Sequence, residues 1–424
     1  MQNFLQKVLM SVYTIFGYIF YPVIFIAFSI MMIFNKPIRK GALSRLGFIY
    51  PKENNKNAVW IHAVSVGEIV AVKEIIFTLI ERGYAIYLST TTVGGYDIAK
   101  KNYGDKVELF YLTLDYPHMI NKLINLISPE YVMIAEIEIW PTLIYSLHKK
   151  LIPLYMINGR IGKKEIKGYK NFKFFFKPYF NMYTKILAQS NIDKKNMIYI
   201  GMPESLITVT GNLKYDITYF VDEKKIDDLE SMIPVNKFVI AAGSTHAGEE
   251  ELILKAINKL AIKDKVYIVI VPRDISRGED IQKLASKLGY DMPLYTDYDK
   301  TSEDGIIINT IGELLNWYKL SDLVIMGGTF MGTMGGHNIL EAIYFKKAVI
   351  VGKYMYNFIE IYEYMKEAVL TCDDKEKLAE TIKEAYQNEE LRNYLAEKAY
   401  NLLIQNNGAS KKTIDIINKY QGIV

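Results

Sequence analysis

The stretch "LVIMGGTFMGTMGGHNILEAIYF", residues 323–345, reads as a buried strand, a glycine-rich loop and a helix. The apolar run ends in Gly327-Gly328, and the helix is predicted to begin near His337-Asn338. Glycines let backbone approach a ligand closely, and a helix N-terminus offers unpaired N–H groups and positive potential to a phosphate. Glu341, about one turn in, is placed to accept from a ribose hydroxyl pair. The competing reading is a tight turn and a helix capped by Asn338. Glycine pairs on both sides of the loop exceed what a turn needs.

The same alternation recurs outward in both directions. "AVWIHAVS", "AIYLSTTT", "VELFYL", "YVMIAEIEI", "IPLYMING", "KILAQS" and "ITVTG" are strand candidates in the first half. "FVIAAGS", "VYIVIVP", "IIINT", "AVIVG" and "AVLTC" join the opening stretch in the second. Near-continuous apolar runs separated by helix-length segments indicate parallel sheets covered on both faces. The pattern restarts near residue 236, after the charged stretch "DEKKIDDLESMIPVNK". The expectation is an α/β protein with two doubly wound domains and a linker around residues 216–236. In such sheets ligands bind outside the carboxyl ends of the strands, so polar residues just after strands are the candidates.

The chain has 424 residues, half of them hydrophobic and 23% charged, enough for two ordinary domains. A net charge of +4 is mild and gives no argument for a nucleic-acid partner; it suits an anionic surface or substrate. One cysteine, Cys372, leaves no internal disulfide. From Val8 to Phe34 there is no charged residue, a run longer than the roughly 20 residues that span a bilayer. Lys36, Arg39, Lys40 and Arg45 follow it and only Lys7 precedes it, which predicts a cytoplasmic location for everything after residue 35. Pro22 and Gly17 would let this helix bend and lie partly in one leaflet. Three segments result: an N-terminal membrane anchor at 1–35, an α/β domain at 36–216 and a second at 217–424.

In the first domain, "WIHAVSVGEIV" places Glu68 where strand gives way to helix. His62 and Ser65 stand nearby, but without the nucleophile-elbow pattern of a hydrolase. "MIAEIEIWP" carries Glu136 and Glu138, which at i and i+2 on a strand would share a face as an acid/base or metal-binding pair. Polar strand ends over solvent are the alternative. "TVTGNLKYD" offers Lys214 to an anion. In the second domain, "VIVPRD" sets Arg273 just past a strand, suited to a phosphate or carboxylate. "TIGELLNWY" sets Gly312 and Glu313 at another strand-to-helix turn. The acid pair of "DYD", 297–299, lies in a polar loop and reads as surface chance.

Taken together, "HAVSVGE" (62–68), "AEIEIWP" (135–141), "INGR" (157–160), "GNLKYD" (211–216), "GSTHAGEEE" (243–251), "VPR" (271–273), "IGEL" (311–314) and "GGHNILEA" (335–342) run in order across the chain. In these motifs the chain resembles the 3-deoxy-D-manno-octulosonic acid (Kdo) transferase family of lipopolysaccharide biosynthesis. The resemblance implies a GT-B glycosyltransferase fold, two Rossmann-like domains facing a cleft. It implies inverting transfer of Kdo from CMP-Kdo to a lipid A precursor, without metal or other cofactor. The implied setting is the cytoplasmic side of the inner membrane.

Residue by residue, it implies Glu68 as general base, and Glu136 and Lys214 as stabilisers of the transition state. It implies donor contacts from Pro272 and Arg273, from Ile311, Gly312 and Glu313, and from Asn338, Ile339, Leu340 and Glu341. Lys214 would meet the Kdo carboxylate or the phosphate. Where the family usually has His after "PR", this chain has Asp274, a carboxylate that would repel the donor phosphate unless it points away. Other readings are a membrane-associated GT-B transferase using a UDP-sugar, a GT-B-like sugar-nucleotide epimerase, and a tethered nucleotide-binding module.

Overall fold

The apolar runs form strands because β-branched and aromatic side chains fill both sides of a covered sheet. In the computed structural model, which describes residues 2–34, 39–54, 56–216, 219, 221–297, 302–332 and 334–422, strands occupy every predicted run. The first unit holds β1 (Ala58–His62), β2 (Ala85–Thr90), β3 (Glu108–Tyr111), β4 (Tyr131–Ala135), β5 (Leu154–Gly159), β6 (Lys185–Ala188) and β7 (Ile207–Val209). The second holds β8 (Phe238–Thr245), β9 (Val266–Pro272), β10 (Gly305–Ile307), β11 (Leu323–Met326), β12 (Ala348–Gly352) and β13 (Leu370–Cys372).

Strand order is β3-β2-β1-β4-β5-β6-β7 in the first sheet and β10-β9-β8-β11-β12-β13 in the second. All pairings between these strands are parallel. Alternate residues go to opposite faces. Trp60, Val132 and Met156 enter one core, while Ile61, Met133 and Tyr155 enter the other. Each sheet reverses its winding once, between β1 and β4 and between β8 and β11. The crevice at such a switch point is where open α/β sheets bind ligands.

The chain divides into Met1–Ile217 with Asn406–Val424, and Thr218–Gln405. This corrects the expected boundary for the second domain: the last helix, Ala409–Gln421, returns to the first unit. Ala409, Ile414 and Ile417 are buried there among Ile69, Leu88 and Leu213. The N-terminal segment likewise belongs to the first unit. The expected breaks at 35–36 and 216–217, and most of "DYD", fall on or beside residues outside those described.

The N-terminal helix Gln2–Phe34 forms, yet among the described residues no helix is long and apolar enough to cross a membrane. One side of this helix lies along the first unit. Tyr13 donates to Asp115 at 3.2 Å, the Gly17 carbonyl accepts from Tyr116 Oη at 3.0 Å, and Tyr21 packs edge-on against Tyr116. These turns are spaced four residues apart, one helical face. The other side exposes Val12, Ile15, Phe16, Ile19, Val23, Ile26 and Ile30.

Candidate functional site

In the first unit, Glu68 lies at the carboxyl end of β1, on the first turn of the helix Val66–Ala71. Ser65 is the N-cap, and serine and glutamate form a reciprocal capping box. The carboxylate accepts from Val64 N (2.8 Å), Ser65 N (3.2 Å) and Ser65 Oγ (2.7 Å), and the residue is only 8% exposed. The hydrogen bonds fix its position at the switch point.

Glu136 and Glu138 are not on a strand, contrary to expectation. β4 ends at Ala135, and Glu136 turns the chain with φ of 58°, a left-handed conformation that costs of order 1–3 kcal/mol in a non-glycine residue. The two acids thus leave the sheet instead of sharing a face of it. Glu136 meets Lys214 Nζ at 3.8 Å. A Cβ at Gly67 would lie 4.0 Å from the same nitrogen, so the ammonium sits beside the turn that carries Glu68.

Lys214 rides on the single turn Leu213–Tyr215. Asn158 Oδ1 at the end of β5 accepts from Leu213 N (2.9 Å), and Asp216 accepts from Gly408 N (2.6 Å), Ala409 N (3.2 Å) and Ser410 N. Glu138, which the sequence reading paired with Glu136 but gave no role of its own, belongs to the same cluster. Burial first, then the charges of Glu68 and Glu136, push its carboxyl up to about 7, with Trp140 opposing. His62 is fully buried, bonds Ser89 Oγ through Nδ1 at 2.8 Å, and burial pushes it down to about 4. It is a neutral support under the strand ends, and Ser65 is a cap.

In the second unit the polar residues again gather past β8, β9 and β11. Arg273 follows Pro272 at the end of β9 and is exposed; its N–H donates to Thr245 O at 3.0 Å. Asp274 turns away: its carboxylate caps Ser276 N (3.0 Å) and accepts from Ser276 Oγ (2.7 Å). The helix of the opening stretch is shorter than expected, Leu340–Tyr344, with Asn338 Oδ1 accepting from Leu340 N at 3.2 Å. Asn338 Nδ2 donates to Tyr219 Oη (3.0 Å) and Glu341 Oε1 (3.4 Å). Burial pushes the Glu341 carboxyl up to about 7, with Asn338 and Arg273 opposing. Ile339 and Leu340 are buried.

Gly312 is left-handed at φ of 102° and Ile311 is 75% exposed, an open turn. Glu313, by contrast, is buried and held by Lys225 Nζ (2.5 Å) and Asn316 Nδ2 (3.0 Å). Sequence reading missed two features here. Glu249, fully buried, accepts from His246 N (2.9 Å), Gly328 N (2.7 Å) and Phe330 N (3.1 Å), pinning the glycine-rich loop. His246 and His337 meet through their Nε2 atoms at 2.8 Å. The shared phrase "GSTHAGEEE" was the available signal, but nothing in it names a partner 91 residues away. Among the described residues no three His, Cys, Asp or Glu side chains converge as a metal site.

Two doubly wound parallel units, each with a polar cluster at its switch point, place the chain in the GT-B fold class. The UDP-GlcNAc 2-epimerase of Neisseria meningitidis superposes with a TM-score of 0.57 over 85% of this chain and 100% of its own, at 15% identity, which speaks for the fold alone. A glycosyltransferase from Rickettsia africae gives 0.53 over 86% and 99%, at 18% identity. Residues 40–217 match the family model for 3-deoxy-D-manno-octulosonic-acid transferase (kdotransferase), and residues 250–402 match that for glycosyl transferases group 1. The 3-deoxy-D-manno-octulosonic acid transferase of Haemophilus influenzae is 32% identical over 373 residues, 85% of this chain and 87% of that protein. This chain belongs to the 3-deoxy-D-manno-octulosonic acid transferase family and is a glycosyltransferase of that type.

Proposed function

We propose that the chain transfers Kdo from CMP-Kdo to a lipid A precursor in lipopolysaccharide synthesis, with inversion at the sugar and with Glu68 as the base. The observation that carries this reading is the cluster at the first switch point: Glu68 beside β1, with Glu136 and Lys214 gathered next to it. Direct displacement needs one base for the incoming hydroxyl and a group that tolerates the developing charge. Glu68 takes the proton as the acceptor oxygen attacks. Lys214, oriented by Glu136, offsets negative charge on the donor. Arg273, Asn338 and Glu341 hold the CMP part, with the backbone of the Ile311-Gly312 turn and of Ile339-Leu340.

The N-terminal helix supports membrane association in one leaflet, since its packed face is occupied and its apolar outer face is exposed. A helix in the interfacial plane of the cytoplasmic leaflet of the inner membrane would meet an acylated acceptor there. Mass spectrometry of a lipid A precursor incubated with CMP-Kdo and enzyme tests the reaction. A mass gain of one or more Kdo units is expected. No gain with CMP-Kdo, but transfer from a UDP-sugar, would replace this reading.

A further inference from the structure

His246 and His337 stand at the carboxyl ends of the two strands that flank the second switch point, β8 and β11. Their ring planes are 4° from parallel with centroids 5.1 Å apart, and Nε2 faces Nε2 at 2.8 Å. The site is built to hold them so. Gly328, left-handed at φ of 72°, has no Cβ, and one there would lie 2.8 Å from His337 Cδ2. Glu249 anchors both His246 N and Gly328 N.

Two nitrogens at that distance share one hydrogen: one ring donates and the other accepts. The neutral pair holds one further N–H, on the Nδ1 of the accepting ring. A single added proton goes to the remaining Nδ1 and leaves the bridge intact. A second would put hydrogens on both facing nitrogens and break it. The pair is therefore a one-proton device.

We propose that this histidine pair takes up one proton when the phosphate of CMP or of the CMP-sugar donor binds beside it, and serves as a second cation next to Arg273 for that phosphate. The proposal rests on the donor reading above and adds a proton to it. The charged groups around the pair are Arg273, whose charge acts on His337 and also on Glu341, and the Glu249 carboxylate, which accepts from His246 N. In the free protein burial and then the Arg273 charge push His337 down to about 4. A phosphate reverses the Coulomb balance without altering the packing. As the sugar–oxygen bond breaks, the phosphate keeps the electron pair and gains a negative charge, which the cationic pair stabilises. The acceptor proton goes to Glu68.

Calorimetric titration of CMP into the full chain, in two buffers of different ionisation enthalpy at pH 7.5–8.5, tests this. Uptake approaching one proton per CMP is expected, with affinity falling about tenfold per pH unit within the window. His246→Gln and His337→Gln are expected to lose the uptake while binding cytidine, which has no phosphate, like the unaltered enzyme. Histidine-selective nitrogen spectra of the CMP complex should show one imidazolium in the pair. CMP binding without proton uptake, uptake that persists in both variants, or two neutral rings in the complex would overturn the proposal alone. No CMP binding by the unaltered enzyme would remove the donor reading with it.

Discussion

At the scale of single residues, Glu68 has a structural task and, in the proposed mechanism, a catalytic one, and the two separate by measurement. Its carboxylate completes a capping box, and losing a cap costs about 1 kcal/mol. As the base it is worth about 10²–10⁴ in rate. Glu68→Gln is expected to lower the transfer rate by at least about a hundredfold, shift melting by only a few degrees and leave CMP affinity unchanged. Near-normal turnover would remove Glu68 as base. Glu138 carries a different signature. Its folded carboxyl binds a proton more tightly than an ordinary glutamate, titrating at about 7. The folded state then holds more protons than the unfolded one between the ordinary range and about 7, so this residue's contribution falls as pH rises through that window. Glu138→Gln removes the term: its stability relative to the unaltered chain should rise from pH 5 to pH 8, and a constant difference in denaturant midpoint would refute it. The carboxylates themselves were legible in "HAVSVGE" and "AEIEIWP". Their environment was not, because burial and the charge of Glu68 reach Glu138 through space and not along the chain.

At the scale of elements, the N-terminal helix has one face on Tyr116 and Asp115 and one face open. Ile19→Lys with Val23→Lys changes only the open face. Each apolar side chain buried in lipid contributes roughly 1.5–3 kcal/mol, so partitioning into anionic vesicles should fall about a hundredfold or more, with the melting temperature unchanged. Flotation of the unaltered and doubly substituted chains decides it, and equal flotation would sink the membrane role of this face. The uncharged run announced an apolar helix. It did not announce that the helix lies along the first unit, because Tyr116 and Asp115 enter the chain about a hundred residues later. The helix after the glycine-rich loop shows the same limit. Sequence placed its start near His337, whereas His337 bonds His246 and the helix starts at Leu340. A strong tertiary contact outweighed local helix tendency there.

At the scale of the whole molecule, two units, each built on its own sheet, predict two unfolding transitions. CMP at a hundred times its dissociation constant should stabilise the Thr218–Gln405 unit by about 2.7 kcal/mol and leave the other transition in place. Ending the chain at residue 405 strips Ile414 and Ile417 from the first core, a loss of about 3–6 kcal/mol, and frees Asp216 from the backbone that holds the Lys214 turn. Scanning calorimetry should show the first unit's transition lowered or lost and the second's kept; an unaltered pair of transitions would contradict that division. Strand positions, the two-unit plan and most acids and bases of the site were determined by sequence alone. Apolar runs and glycine turns are local, and burial on both sheet faces leaves them no other use. The pairing of β1 with β4 and of β8 with β11, the return of the last helix under Lys214, the release of Glu136 from its strand and the meeting of two histidines were decided by tertiary structure. Each depends on which strand ends lie side by side, and that is set by packing the whole sheet.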